Sequence, residues 1–523
     1  MNRPAWWAGA LALLVALPSL LNGFVYDDVP AIVTNPVVST GGLATIWTSP
    51  YWPLGLLYRP LTVQLFALEW HAGGGSPLPF HLINVLLYGA GAVLVTRIAR
   101  RWLPPVGALA AGLLFAAHPV HVEAVANGVG QSELLAALFV LIAVDLYIRW
   151  RDDPAGFTGP RRAAVAACYG LAIAAKETGY VLPGLLLVVE LLGGEPALRA
   201  RLRRAGSVLL LLGSVAVAGL LIRVMLFGGF AGETPQVPLR GLGAIPRAVA
   251  MLAVVPHWTR LLLFPLQLQA HYGPPGIPVT GTLTALHLLG LAILAGSVVL
   301  CAWAARRAPP VAIGLAWMAI ALLPVSNLLA GTGVLLAERT LLLPSAGFAL
   351  VAGWVVAAAV QRLRAPGRAV LQAILLLALA GLGWRFVVRT RVWHDQDGFF
   401  AALERDAPRS YRAQLSAGIH YKGARRYADA ERVFQRAWSQ YRGDPAVFEE
   451  YGQLYRIQGR CDRAVSIFAE GVAHHPDETV LRARLIECAL TVGDTSRARA
   501  VASDGVRRGR TEFEATLKRL GGN

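Results

Sequence analysis

Two adjacent carboxylates, Asp27 and Asp28, stand in the stretch Asn22 to Asn35 (NGFVYDDVPAIVTN), directly after the first apolar run. Only 31 of the 523 residues are acidic. A pair of acids at the mouth of a membrane span is costly unless it faces water or does chemistry. Neighbouring side chains of an extended chain diverge, so the two cannot serve one site as equals. The spacing predicts a division of labour. One carboxylate acts as general base on a hydroxyl, while the other caps a neighbouring helix or holds a ligand. An Asx turn or a plain N-cap is the alternative for both.

The matching cations are few and distinctive. Lys176 is the sole lysine before residue 400, in a chain whose other basic positions there are arginine. Such a compact point charge suits a lipid phosphate; an ion pair with Glu177, or snorkelling at a helix end, is the alternative. Arg59 (in YRPL) and Arg339 (in LLAERT) offer bidentate forks for phosphate, with Glu338 placed to orient Arg339. The run HPVHVE adds His118, His121 and Glu123. On a helix the two imidazoles would share a face. Pro119 disturbs that helix and no further ligand set is evident, so a substrate-binding or structural role is expected rather than a metal.

These motifs need a membrane scaffold. Hydrophobic residues make up 55% of the chain and charged ones 15%, with a mean hydropathy of +0.52; a soluble domain carries about 25% charge. The net charge of +17 lies in short arginine clusters between apolar runs, which excludes a nucleic-acid surface and marks cytoplasmic anchors. Apolar segments begin near residues 6, 80, 105, 132, 163, 178, 208, 283, 311, 341 and 369, giving about eleven spans. The first is read as an uncleaved helix rather than a signal peptide. The segment 245–268 contains Pro246, Pro256 and Pro265 and is expected to be re-entrant or interfacial. The first loop, with Trp47, Tyr51, Trp52, Tyr58 and Trp70, reads as short interfacial helices. Putting the clusters near 97–101, 149–162, 199–204, 306–307 and 362–368 in the cytoplasm places the N-terminus inside. All the acid-bearing motifs then fall outside, together with the tail.

The tail turns charged and periodic from about Arg409. Gly418 and Gly452, Tyr421 and Tyr455, Ala430 and Ala464, and Phe434 and Phe468 each lie 34 residues apart. That is the tetratricopeptide period, in which small residues sit where two helices cross and aromatics fill between them. Three repeats are expected at 411–444, 445–478 and 479–512. Such solenoids present a groove to peptides or protein partners, and a structural cap on the membrane domain is the alternative. Of the four cysteines, Cys461 and Cys488 lie in the tail and Cys168 and Cys301 in apolar spans. The domain division is 1–400 and 401–523.

The ordered set NGFVYDDVPAIVTNPVV, YRPLT, FHLINVLLY, HPVHVEAVA with GQSELLAALF, AAKETGYVLP, SNLL and AERTLLLPS resembles bacterial relatives of the TMTC group, the transmembrane and tetratricopeptide-repeat proteins. The resemblance covers nearly the whole membrane domain, and the repeats extend it. It implies an all-α, GT-C-like membrane bundle with an α-solenoid tail. The implied activity is inverting transfer of mannose from a polyprenyl-phosphate sugar to Ser or Thr of an extracytoplasmic protein, with the repeats on the acceptor side. The implied partners are membrane lipids, that lipid-linked sugar and an acceptor protein or peptide; no nucleic acid and no certain cofactor are implied. Asp27 and Asp28 match the family's first-loop acidic pair, and Arg59, Lys176, Glu177, Glu338 and Arg339 its other outer-face motifs. The chain departs from the pattern at Gln131, where Arg is expected, and at Thr340 and Leu342, where Tyr is expected. A lipid or glycan acceptor keeps the same chemistry. A flippase would instead show midplane charges and inverted repeats, and a bare scaffold would leave the acidic loop and Lys176 unexplained.

Overall fold

The apolar runs fold as helices in a computed structural model that describes residues 3–521 except 54, 154, 193–197, 231–235 and 280–281. The chain is all-α. Among the described residues, β-pairing is limited to one isolated bridge, Pro275 to Ser410. It divides into two compact units. The first comprises Met1–Gln236, Gly241–Leu268 and Thr280–Phe399; the second comprises Val237–Arg240, Gln269–Val279 and Phe400–Asn523.

The first unit is a multi-pass membrane bundle. Seven of its helices, among the described residues, are long and apolar enough to cross: Pro4–Leu21, Leu78–Ala99, Gly128–Arg151, Leu198–Phe227, Ala285–Arg307, Glu338–Arg362 and Ala365–Trp393. Pro105–Ala117 and Pro119–Val125, bent by 45° at their junction, make an eighth if taken as one span. The outward faces suit lipid. Leu210 and Met225 on one helix, Val298 and Val299 on another, and Leu376 and Leu377 on a third stand largely uncovered, a pattern that water would penalise.

The expected count of about eleven spans draws on three further segments. Two are shorter helices, Gly159–Ala175 of 17 residues and Pro309–Leu322 of 14, and the third is described from Leu182 as far as Leu192. At 1.5 Å per residue the first two reach roughly 21–26 Å, against the ~30 Å hydrocarbon core. The reason is visible at their ends. Gly159–Ala175 stops at Lys176, where the chain becomes extended before the 3-10 turn Glu177–Val181. Pro309–Leu322 stops at the turn Leu323–Val325. Helices broken at one end leave polar turns there, and polar turns carry the chemistry. Within 245–268 the chain forms two nine-residue helices, Ala244–Leu252 and Val255–Leu263, each too short to cross alone.

The first loop is a folded element with its own core. Ala31, Ile32, Val38, Ile46, Tyr51, Leu57, Val63 and Phe66 pack with Phe80 and Val129. Polar contacts fix it to the bundle: Asn22 Nδ2 donates to the Ala126 carbonyl at 3.1 Å, and the Gly23 amide donates to the His394 carbonyl at 2.8 Å. The helices themselves approach closely where glycine permits. A Cβ on Gly347 would lie 2.4 Å from the Gly314 carbonyl oxygen.

The second unit carries three antiparallel helix pairs, Tyr411–Gly423 with Tyr427–Gln440, Pro445–Ile457 with Cys461–His474, and Thr479–Thr491 with Thr495–Arg507. The 34-residue glycines explain the period. A Cβ on Gly452 would come within 2.4 Å of the Phe468 ring, and one on Gly418 equally close to Phe434. Gly452→Ala is therefore expected to destabilise the second repeat by about 1–3 kcal/mol through overpacking. Limited proteolysis of the tail should be faster in that variant, and unchanged cleavage would contradict the packing argument.

Candidate active site

The two adjacent aspartates have different surroundings. Asp28 is wholly buried and accepts three backbone amides: Val129 on Oδ1 at 2.8 Å, and Val25 and Gly128 on Oδ2 at 3.2 Å each. Burial drives its carboxyl up to about 7, against the pull of those three donors. It ties the first loop to the turn Gly128–Gly130. Asp27 takes another direction. The preceding Tyr26 adopts φ +53°, a costly backbone region for a bulky residue. That turn is held by the Tyr26 amide donating to Gln396 Oε1 at 3.3 Å and by its ring stacking on Phe399 at 5.1 Å. Asp27 keeps 22% of its side-chain surface open, and its Oδ2 lies 3.7 Å from Arg339 Nη1.

Arg339 sits on the 3-10 turn Glu338–Leu341. Glu123 clamps it twice: Oε1 receives Arg339 Nη1 at 2.6 Å and Oε2 receives the Arg339 amide at 3.0 Å. Glu123 therefore orients the guanidinium from a distant part of the chain. Glu338 is buried, and it is Arg339 and Thr340 that face the adjacent cavity.

Lys176 and Glu177 part company in the same way. The extended backbone at Lys176 (φ −163°, ψ 152°) turns consecutive side chains apart. Lys176 Nζ meets Glu133 Oε1 at 2.6 Å, so its carboxylate partner is Glu133 and not the Glu177 of the alternative reading. Burial lowers the Lys176 ammonium from its ordinary value; Glu133 opposes this, while Arg59 and Arg339 add to it. Glu177 pairs instead with Arg59, whose Nε and Nη2 lie 3.0 and 2.9 Å from Glu177 Oε2. Burial pushes the Glu177 carboxyl up, but Arg59 and the neighbouring donors outweigh it and hold it below the ordinary carboxylate value. The Arg59 guanidinium also lies 4.8 Å from the Tyr51 ring centroid.

A fourth cation, Arg223, escaped the motif reading. It comes from the helix Leu198–Phe227, donates Nη2 to the Leu56 carbonyl at 2.6 Å and lies 4.0 Å from Glu177 Oε1. Its signal in the sequence was its isolation: no other charged residue lies between Arg204 and Glu233. A lone arginine in an apolar run is a functional candidate by default.

Arg59, Lys176, Arg223 and Arg339 all line one cavity of about 700 Å³, with Glu177 as the carboxylate on its wall. The rest of the wall is largely apolar, including Ile173, Val215, Ala218, Ile222 and Val325, with Trp47 and Trp52. The space thus joins an apolar trough to a cationic wall, and Arg339 connects that wall to Asp27.

The histidines lie elsewhere. His118 Nε2 is 3.0 Å from the Leu262 carbonyl; His121 is bracketed by Tyr88 Oη at 3.0 Å and Ser345 Oγ at 2.8 Å. Both are buried and neither lines the cavity, a placement in keeping with the structural one of the two roles expected for them. Among the described residues no group of three or more His, Cys, Asp or Glu is arranged to hold a metal ion. Gln131 donates Nε2 to Glu69 Oε1 at 2.7 Å, and burial pushes Glu69 up to about 8.

No family model matches the chain. Among curated proteins it is 27% identical to the mouse (Mus musculus) "Protein O-mannosyl-transferase TMTC4" over 488 residues, covering 82% of this chain and 64% of that protein. It is 27% identical to the Drosophila melanogaster "Protein O-mannosyl-transferase Tmtc1" over 530 residues, covering 81% and 60% respectively. The chain thus spans less than two thirds of the length of either relative. Among solved structures, the archaeal oligosaccharyltransferase AglB from Archaeoglobus fulgidus, in complex with an inhibitory peptide and a dolichol-phosphate, aligns with a TM-score of 0.40 and 16% identity, covering 76% of this chain and 57% of that one. The chain is thus similar in sequence to proteins named as TMTC protein O-mannosyl-transferases, the group whose motifs it resembles.

Proposed function

We propose that the chain transfers a sugar, mannose by analogy with its relatives, from a polyprenyl-phosphate donor to a hydroxyl of an acceptor, with inversion at the anomeric carbon. The observation that carries this reading is the cavity wall. Among the described residues, four cations face a single carboxylate beside an apolar trough, and Asp27 adjoins them through Arg339. An anionic headgroup on an apolar tail is the ligand such a space suits.

In the step proposed, Asp27 removes the acceptor's hydroxyl proton as the oxygen attacks the anomeric carbon. The bond from that carbon to the phosphate oxygen breaks, and its electron pair leaves with the lipid phosphate. Arg339, Lys176, Arg59 and Arg223 stabilise that developing charge. Glu123 and Glu133 keep Arg339 and Lys176 in place, and Asp28 holds the loop that presents Asp27. The acceptor is Ser or Thr of an extracytoplasmic protein, with the repeats on the acceptor side. The orientation puts the N-terminus in the cytoplasm, and the site and tail outside, in a bacterial inner membrane. Its support is the arginine distribution between spans.

Arg223 tests headgroup recognition directly. Arg223→Leu is expected to weaken binding of a short-chain polyprenyl phosphate by about tenfold or more, the range for losing one charge-assisted contact. Binding to purified protein in detergent, measured by microscale thermophoresis, checks this. Equal affinity in the variant would remove the cavity from the account.

A further inference from the structure

We infer that Cys461 and Cys488 are joined as a disulfide that staples the second repeat to the third. Cys461 opens the helix Cys461–His474 and Cys488 lies in Thr479–Thr491, the next helix along. Both side chains are buried, and their sulfurs face each other at 2.8 Å. The pair spans 27 residues of sequence, a loop long enough for a covalent link to restrict the unfolded chain appreciably.

The place in the solenoid explains the need. The first two repeats are locked by Phe434 over Gly418 and Phe468 over Gly452. One period further on, those positions hold Ile486 and Ala502. The third repeat's core is correspondingly small: Ile486, Ala489, Ala498, Ala502 and Phe513. Repeats are held by their neighbours, and this one carries no aromatic at the position of Phe434 and Phe468. The cysteines replace what other junctions achieve by packing. Cys488 takes the register of Leu454, and Cys461 that of Tyr427 and Thr495, so the pair is peculiar to this junction.

The inference rests on the proposed orientation, because disulfides persist only in oxidising compartments. The reaction is thiol–disulfide exchange with a disulfide-bearing oxidant, a thiol oxidoreductase or a small-molecule disulfide. One S–S bond forms in the protein and one breaks in the oxidant. The two electrons pass to the oxidant, whose two sulfurs finish as thiols carrying the two protons. Burial, with Cys461 alongside, pushes the Cys488 thiol up to about 12, so exchange is expected as the tail folds, before the third repeat closes over the pair.

Differential alkylation of the full chain in membranes tests this. Membranes are denatured in N-ethylmaleimide, then reduced and labelled with iodoacetamide, and the digest is read by mass spectrometry. The staple predicts the second label at Cys461 and Cys488 and the first at Cys168 and Cys301. In Cys461→Ser the remaining Cys488 should take the first label, and the tail should be cut on the order of tenfold faster by protease. The first label on all four cysteines of the unsubstituted chain overturns the inference. An alkaline phosphatase fusion after Gly398 separates the causes. An active fusion with four free thiols removes the staple alone, whereas an inactive, stable fusion with four free thiols removes the orientation as well.

Discussion

Asp27→Asn is expected to abolish sugar transfer, by about three orders of magnitude or more, and to leave the fold unchanged. The loss of rate follows from the role: an amide cannot take the acceptor's proton, and general base catalysis alone contributes about 10²–10⁴-fold. The intact fold follows from the surroundings. Asp27 is partly open, and its ion pair with Arg339 is long, 3.7 Å, whereas Glu123 holds the same guanidinium at 2.6 Å. Removing the Asp27 charge therefore leaves Arg339 paired. The checks are initial rates with a polyprenyl-phosphate sugar and the thermal unfolding midpoint of the purified variant. Full activity would end the assignment of Asp27 as base. A large fall in midpoint would mean that its role is structural.

Its neighbour gives the opposite result. Asp28→Ala leaves three buried amides, those of Val25, Gly128 and Val129, without an acceptor. Each buried donor left unsatisfied costs about 1–3 kcal/mol, so the expected loss from the three is on the order of 3–9 kcal/mol, much of a typical folding free energy. The first loop should detach from the turn Gly128–Gly130, and activity should fall because Asp27 is no longer presented. Faster protease cleavage within residues 22–60, with a lowered unfolding midpoint, is the measurement. A stable but inactive Asp28→Ala would shift the chemistry to Asp28. The pair thus separates two roles that adjacent identical residues conceal.

The order of motifs and the repeat period were legible because both are local. Glycines 34 residues apart announce a helix crossing before any coordinates exist, since only a small residue fits under Phe434 or Phe468. The pairing of charges was not legible. Lys176 and Glu177 look like an ion pair on paper, yet the extended backbone between them sends one to Glu133 and the other to Arg59, which is 118 residues away. Glu123 reaches Arg339 across 216 residues, a contact that no local pattern announces and that made adjacent Glu338 the natural guess. The histidines left two roles open for a related reason: polar residues beside a helix break suggest a ligand site, whereas His121 serves to join Tyr88 to Ser345. Where helices break was less legible than where the apolar runs lie, because hydropathy counts apolar residues and not continuous helix. The break at Lys176 and the proline-containing turn Leu323–Val325 shorten helices whose composition alone reads as membrane.

The most direct test of the central claim is transfer itself. The purified chain, kept with its lipids, is offered a panel of polyprenyl-phosphate sugars and a mixed acceptor extract, beside the Asp27→Asn variant. The account predicts a labelled acceptor from at least one donor with the unsubstituted chain and none with the variant. Equal labelling by both, or binding of the lipid phosphate without transfer from any donor, would contradict it.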